Sequence, residues 1–124
     1  MPKPYFDIQQ FGEQTDIYIF GDIVRYADED SQETSAHSLV QQLKKIPDAA
    51  EINLHIDSFG GNVSEGWAIY NALKDSRARV TSYADGFVAS AAIYPFLAGQ
   101  ERIASNVSAF YFHPASQFTG GYAE

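Results

Sequence analysis

The sequence predicts an α/β domain built on a mostly parallel sheet. Three observations carry that expectation. Segments rich in β-branched and aromatic residues alternate with segments of helical apolar spacing, in the order β-α-β-α-β-α-β. The 124 residues suffice for a single hydrophobic core. Hydrophobic residues make up 45% and charged residues 19%, a globular balance rather than that of a disordered chain.

The first strand is Asp16-Ile17-Tyr18-Ile19-Phe20, stopped by Gly21. An acidic stretch follows, with Asp28, Glu29, Asp30 and Glu33, which reads as a solvated loop. Ala36, Leu39, Val40, Leu43 and Ile46 then mark a helix, with Thr34 or Ser35 as N-cap. Lys44 and Lys45 fall in its last turn and Pro47 stops it. Ile52-Asn53-Leu54-His55-Ile56 alternates with period two, a strand with one buried face, and Ser58-Phe59-Gly60-Gly61 breaks it. Val63, Trp67, Tyr70 and Leu73 trace a second helix, and Trp67 with the many Tyr and Phe reads as core. Residues 79–83 predict a third strand, closed by Asp85-Gly86. An Ala-rich helix follows over 90–98, with Gly99 at C′. Ile103 and residues 109–112 predict one or two further strands before His113-Pro114.

Charge and composition exclude several functions. Eight Lys+Arg against sixteen Asp+Glu give a net charge of −8, which repels phosphate backbones and anionic lipid, so neither nucleic acid nor membrane is an expected partner. With no cysteine there is no disulfide, thiolate metal site or cysteine nucleophile. The longest uncharged stretch, 86–100, contains Pro95 and falls short of the ~18–20 residues a membrane span needs. The N-terminus shows no apolar signal segment, and the expected location is the cytoplasm. No P-loop, G-x-G-x-x-G, G-x-S-x-G or H-E-x-x-H motif occurs, and no cofactor or metal is expected. Asn62-Val63-Ser64 and Asn106-Val107-Ser108 fit the glycosylation pattern by chance, since nothing indicates secretion.

In α/β sheets, sites gather where strands lead into helices. Three such places carry unusual residues. Gly60-Gly61 fits either a tight turn or a loop whose N–H groups face an anion. Ser90, within Gly86-Phe87-Val88-Ala89-Ser90-Ala91, fits either a helix N-cap or a nucleophile at the positive end of a helix, with the Ala91 N–H turned toward an oxyanion. His113, after the apolar run 109–112, fits either a general base or a half-exposed loop residue. His37 and His55 fall on polar faces and read as structural or solvated.

Taken together, I-N-L-H-I-D-S-F-G-G at 52–61, G-W-A-I-Y-N-A-L-K at 66–74, Y-A-D-G-F-V-A-S-A-A at 83–92 and A-F-Y-F-H-P at 109–114 resemble the Clp protease proteolytic subunit (ClpP) family. The A-I-Y-N-A-L-K wording is closest to its phage-encoded relatives, the ClpP-type prohead (head maturation) proteases. The likeness spans about residues 15–120, with the four blocks in family order. It implies a serine peptidase with the spiral of ββα units shared with crotonases. Ser90 matches the nucleophile that ends the family's G-x-A-A-S, and His113 matches the histidine of its H-x-P turn. Gly61 and Ala91 match the positions whose N–H groups form the oxyanion hole. The resemblance also implies a polypeptide substrate and self-association into rings or other oligomers. Any ATP dependence would belong to a separate ATPase unfoldase.

The chain departs from the family at several points. Phe59 stands where the family usually has Pro, and Asp57 where it often has Asn. Pro95 falls inside the helix after the nucleophile, which it would shorten or kink. The family's third triad member, an Asp, lies several tens of residues beyond the histidine, whereas only residues 114–124 follow His113 here. The expectation is therefore one domain, 1–124, C-terminally incomplete, stopping before the handle helix and the third triad residue. Asp57 and Asp85 lie near the right loops without matching the family position. A non-catalytic scaffold subunit is the alternative from another class. A crotonase-type acyl-CoA enzyme is disfavoured by the paired Ser90 and His113, and a Ser-Lys dyad by the absence of any Lys after Ser90.

Overall fold

Alternation along three strands assembles the core. In the computed structural model, which describes residues 8–11, 14–28, 33–46 and 51–112, strand β2 (Gln14–Phe20) buries Thr15, Ile17 and Ile19. Strand β3 (Glu51–Ser58) buries Ile52, Leu54, Ile56 and Ser58. Strand β4 (Arg79–Ala89) buries Val80, Ser82 and Ala84. With successive side chains on opposite faces, one face of the sheet becomes almost wholly aliphatic. The strands run β1-β2-β3-β4-β5, with β5 (Glu101–Ala104) and β6 (Ala109–Tyr111) both on β4. Every pairing is parallel except that of β1 (Ile8–Phe11), an antiparallel neighbour of β2 that lies before the first predicted strand. The mixed α/β fold with a mostly parallel sheet is the expected class.

Helices α1 (Ala36–Leu43) and α2 (Val63–Asp75) join parallel neighbours and place Leu39, Ile69 and Leu73 in the core. Ser35 caps α1, its hydroxyl accepting from the Ser38 N–H while Ser38 Oγ accepts from the Ser35 N–H. Thr34 instead bridges to Ile23. Glu65 of α2 reaches across to accept the Ala36 N–H at 2.8 Å, a carboxylate at the positive end of α1. The helix ends at Leu43, with Lys44 as its C-cap, so the two lysines follow the last turn rather than occupy it. Pro47 lies outside the described residues. Asn62 caps α2, accepting from the Glu65 N–H and from Ser64 Oγ, which gives the first glycosylation-like triplet a structural role.

Three expectations change. Strand β4 does not close at Asp85-Gly86 but continues to Ala89, because a bulge absorbs the turn-like residues and the strand then resumes. The segment after it is not one helix. Residues Ser90–Ala92 form a single 3-10 turn, and α3 (Ile93–Leu97) follows. Pro95 sits in the first turn of α3, where an N–H has no intrahelical acceptor, so the short helix holds it without a kink. Gly99 follows the Ala98 C-cap, but its φ is not left-handed. A Cβ there would lie 2.4 Å from Ser82 Oγ, so close packing accounts for the glycine. Finally, several aromatics lie outside the core. Trp67 is 48% exposed and meets Tyr94 edge-on, because α2 turns the stripe of Gly66, Ile69 and Leu73 inward instead. Phe59, Phe87, Phe110, Tyr111 and Phe112 are exposed as well. Among the described residues, no helix is long and apolar enough to cross a membrane.

Candidate active site

Two chain segments meet at the carboxyl ends of β3 and β4. The first is the loop 59–62. Its shape is set by the buried Ser58, whose hydroxyl donates to the Gly21 carbonyl at 2.6 Å and accepts from the Gly60 N–H at 3.0 Å. The Ile23 N–H donates to the Gly60 carbonyl, and the Asn62 N–H donates to the Ile23 carbonyl, both at 2.8 Å. Gly60 and Gly61 have φ of 95° and 138°, a region that side-chain-bearing residues rarely enter. Both are also closely packed. A Cβ on Gly61 would lie 2.2 Å from the Ile23 carbonyl oxygen. The Gly61 N–H lies between two committed amides and makes no hydrogen bond to a described residue.

The second segment is the corner 89–92. Ser90 has φ of 54°, and among the described residues no other non-glycine has positive φ. Backbone of this kind costs about 1–3 kcal/mol and persists only where the surroundings over-determine it. Ala89, not Ser90, occupies the N-cap position, and no side chain caps the turn. The N-cap alternative for Ser90 therefore falls away. Its side chain is partly exposed and makes no hydrogen bond to a described residue.

These segments are in contact. A Cβ on Gly60 would lie 2.5 Å from the Ala89 carbonyl, 2.8 Å from the Ala91 nitrogen and 2.9 Å from Ser90 Cβ. Only a glycine admits the corner this closely. Gly66 of α2 does the same from below, where a Cβ would lie 2.6 Å from the Ala91 carbonyl. The structure thus brings Gly60 against Ser90 and Ala91, while Gly61, the next residue, packs on the Ile23 backbone. His113 lies outside the described residues. The last described strand before it, β6, pairs with the end of β4 in the register Phe87↔Ala109, Val88↔Phe110, Ala89↔Tyr111.

The two nearby acids are engaged elsewhere. Asp57 Oδ1 accepts the Phe87 N–H at 2.9 Å. Asp85 Oδ2 lies 2.8 Å from His55 Nδ1, with Asp16 Oδ1 at 3.5 Å from Nε2. The His55 ring is stacked between Tyr18 and Tyr83, at centroid distances of 4.7 and 4.8 Å, on the outward face of the sheet. Among the described residues, no group of three or more His, Cys, Asp or Glu is placed to hold a metal ion. Residues missed in the sequence include Ser58 and Ile23, which shape the glycine loop. Ser58 was legible as an inward position of an alternating strand. Ile23 acts through its backbone and leaves no signal in residue type.

Comparison with known proteins adds to this geometry. The family model described as Clp protease matches residues 12–124. No curated protein matches the chain. Among solved structures, ClpP1 from Listeria monocytogenes is similar at 26% identity and a TM-score of 0.65, over 88% of this chain and 60% of that one. A point variant of the same protein gives 25% identity and a TM-score of 0.68, over 82% of this chain and 57% of the other. The chain therefore spans less than two thirds of the length of these neighbours.

Proposed function

Because the chain belongs to the Clp protease family, we propose that it is a serine peptidase acting on polypeptides, with Ser90 as nucleophile and His113 as general base. The observation that carries this reading is the strained Ser90 corner, held at positive φ against a glycine loop with its hydroxyl free of described partners. Strain of this kind clusters at functional sites. The pairing of β6 with the last residues of β4 supports the second assignment, since the chain reaches His113 two residues after Tyr111, the partner of Ala89.

His113 takes the Ser90 proton as Oγ attacks the scissile carbonyl carbon, then gives it to the leaving amine. The Gly61 and Ala91 N–H groups hold the tetrahedral oxyanion. Fixed donors of this kind contribute about 3 kcal/mol each to transition-state stabilisation. Water, giving a proton to His113, then attacks the acyl-serine ester carbon; the bond to Oγ breaks, His113 returns the proton to Ser90 and the peptide leaves as a carboxylic acid. The exposed apolar residues of β5, β6 and their flanks support self-association of the working enzyme.

The test is labelling with a fluorophosphonate, mapped by mass spectrometry, beside cleavage of a fluorogenic peptide. Labelling at Ser90 that is lost in His113→Ala is the expected result. Absence of labelling, with cleavage also absent, would make the chain a non-catalytic scaffold of the same fold.

A further inference from the structure

We propose that Asp57 is a positioning residue, which sets the Ser90 corner by fixing the bulge in β4 with its carboxylate; this rests on the reading of Ser90 as nucleophile. The bulge is visible in the register. Ile56 lies opposite Ala84, yet Ser58 lies opposite Val88, so Asp57 alone on β3 faces Asp85, Gly86 and Phe87 on β4. The surplus residues carry β4 from one partner to another. Before the bulge, residues 81–84 pair with β5; from its last residue, Phe87, onward, residues 87–89 pair with β6 and lead directly into Ser90. Where the bulge sits therefore decides where the serine emerges.

Outward side chains of β3, with Phe59 just beyond it, hold each part of that bulge. His55 holds the Asp85 carboxylate at 2.8 Å, and the Phe59 ring packs on Phe87 at a centroid distance of 4.8 Å. Asp57 is central. Its Oδ1 accepts the Phe87 N–H at 2.9 Å, satisfying an amide where the two strands slip out of register. Its carboxylate lies over Gly86, where a Cβ would come within 2.5 Å of Oδ1, so the glycine leaves the room the carboxylate occupies. The Asp57 carbonyl accepts the Gly21 N–H at 3.2 Å, which ties the same residue to the chain leaving β2. What this role requires is an acceptor oxygen at Oδ1, not a negative charge. Asn supplies the same oxygen in the same place, and Ala does not.

The experiment compares Asp57→Asn with Asp57→Ala by the amide chemical shifts of Phe87, Ser90 and Ala91, by the rate of Ser90 labelling, and by peptide-cleavage kinetics. The expected result is displaced shifts at all three amides in Asp57→Ala, labelling slowed about 10- to 100-fold, and a loss in kcat larger than any change in KM. Asp57→Asn should restore native shifts and labelling within about threefold. If Asp57→Ala does not fold, Asp57→Val takes its place, since a β-branched residue suits a strand and brings no acceptor. Native shifts at Ser90 and Ala91 without an acceptor at position 57 would overturn the proposal. So would an Asn variant as perturbed as the Ala variant. Should the parent chain not label at all, the nucleophile reading fails, while the amide shifts still decide whether Asp57 sets the corner.

Discussion

Ser90 combines a conformational penalty with the nucleophile role proposed for its hydroxyl, and two substitutions separate them. Ser90→Ala removes the hydroxyl and leaves the backbone at φ 54°. Peptidase turnover should fall by on the order of 10⁴ or more, with the melting temperature nearly unchanged, measured by peptide cleavage and circular dichroism. Ser90→Gly removes the hydroxyl and also relieves the strain. It should be equally inactive yet more stable than Ser90→Ala by about 1 kcal/mol in urea titration, because glycine enters this region without penalty. The opposite holds at Gly60, where φ is 95° and a Cβ would strike the Ala89 carbonyl. Gly60→Ala should cost about 3 kcal/mol or more by the same titration. The glycine pair was visible in the sequence because few other residues enter such turns, and Ser90 as a hydroxyl among small residues between a strand and a helix, in a block that resembles the family's; its strained backbone left no mark in residue type. The contact between Gly60 and Ala91 was not visible, since it joins segments about thirty positions apart and involves backbone on both sides.

Elements with one strong local signal were legible; those shaped by partners were not. The period-two run in β3 and the β-branched, aromatic content of β2 declared themselves, because a half-buried strand demands them. The second helix was legible as a helix, but its buried face was not, since α2 turns Gly66, Ile69 and Leu73 inward and leaves Trp67 exposed. Asp85-Gly86 looked like a strand end because bulges and turns recruit the same residues. Only the pairing with β3 and β6 distinguishes them. β1 lacks an apolar alternation of its own, Ile-Gln-Gln-Phe, and is recruited by the edge of β2. At α1, the cap and its reciprocal Ser38 bond supply two of the first-turn partners. Ser35→Ala should cost about 1 kcal/mol in urea denaturation, and Glu65→Ala should weaken the same helix end from the neighbouring one.

At the scale of the molecule, the apolar surface is unevenly spread. All residues of β5 and β6 are exposed, and Val107, Tyr111 and Phe112 exceed 60%. A surface of this kind marks an interaction site, which supports the self-association proposed above. The chain should scatter light as more than 13.7 kDa at micromolar concentration, and added salt should raise that mass by screening the net charge of −8. A mass that stays monomeric at high salt would argue against this face as an interface. The split allegiance of β4, paired along one edge with β3 and along the other first with β5 and then with β6, has a consequence for heat inactivation. Ser90 follows directly on the end of a strand on which three others depend. Because Ser90 begins where β4 ends, warming should leave the labelling proposed for it intact until the sheet gives way, and the two losses should share one midpoint.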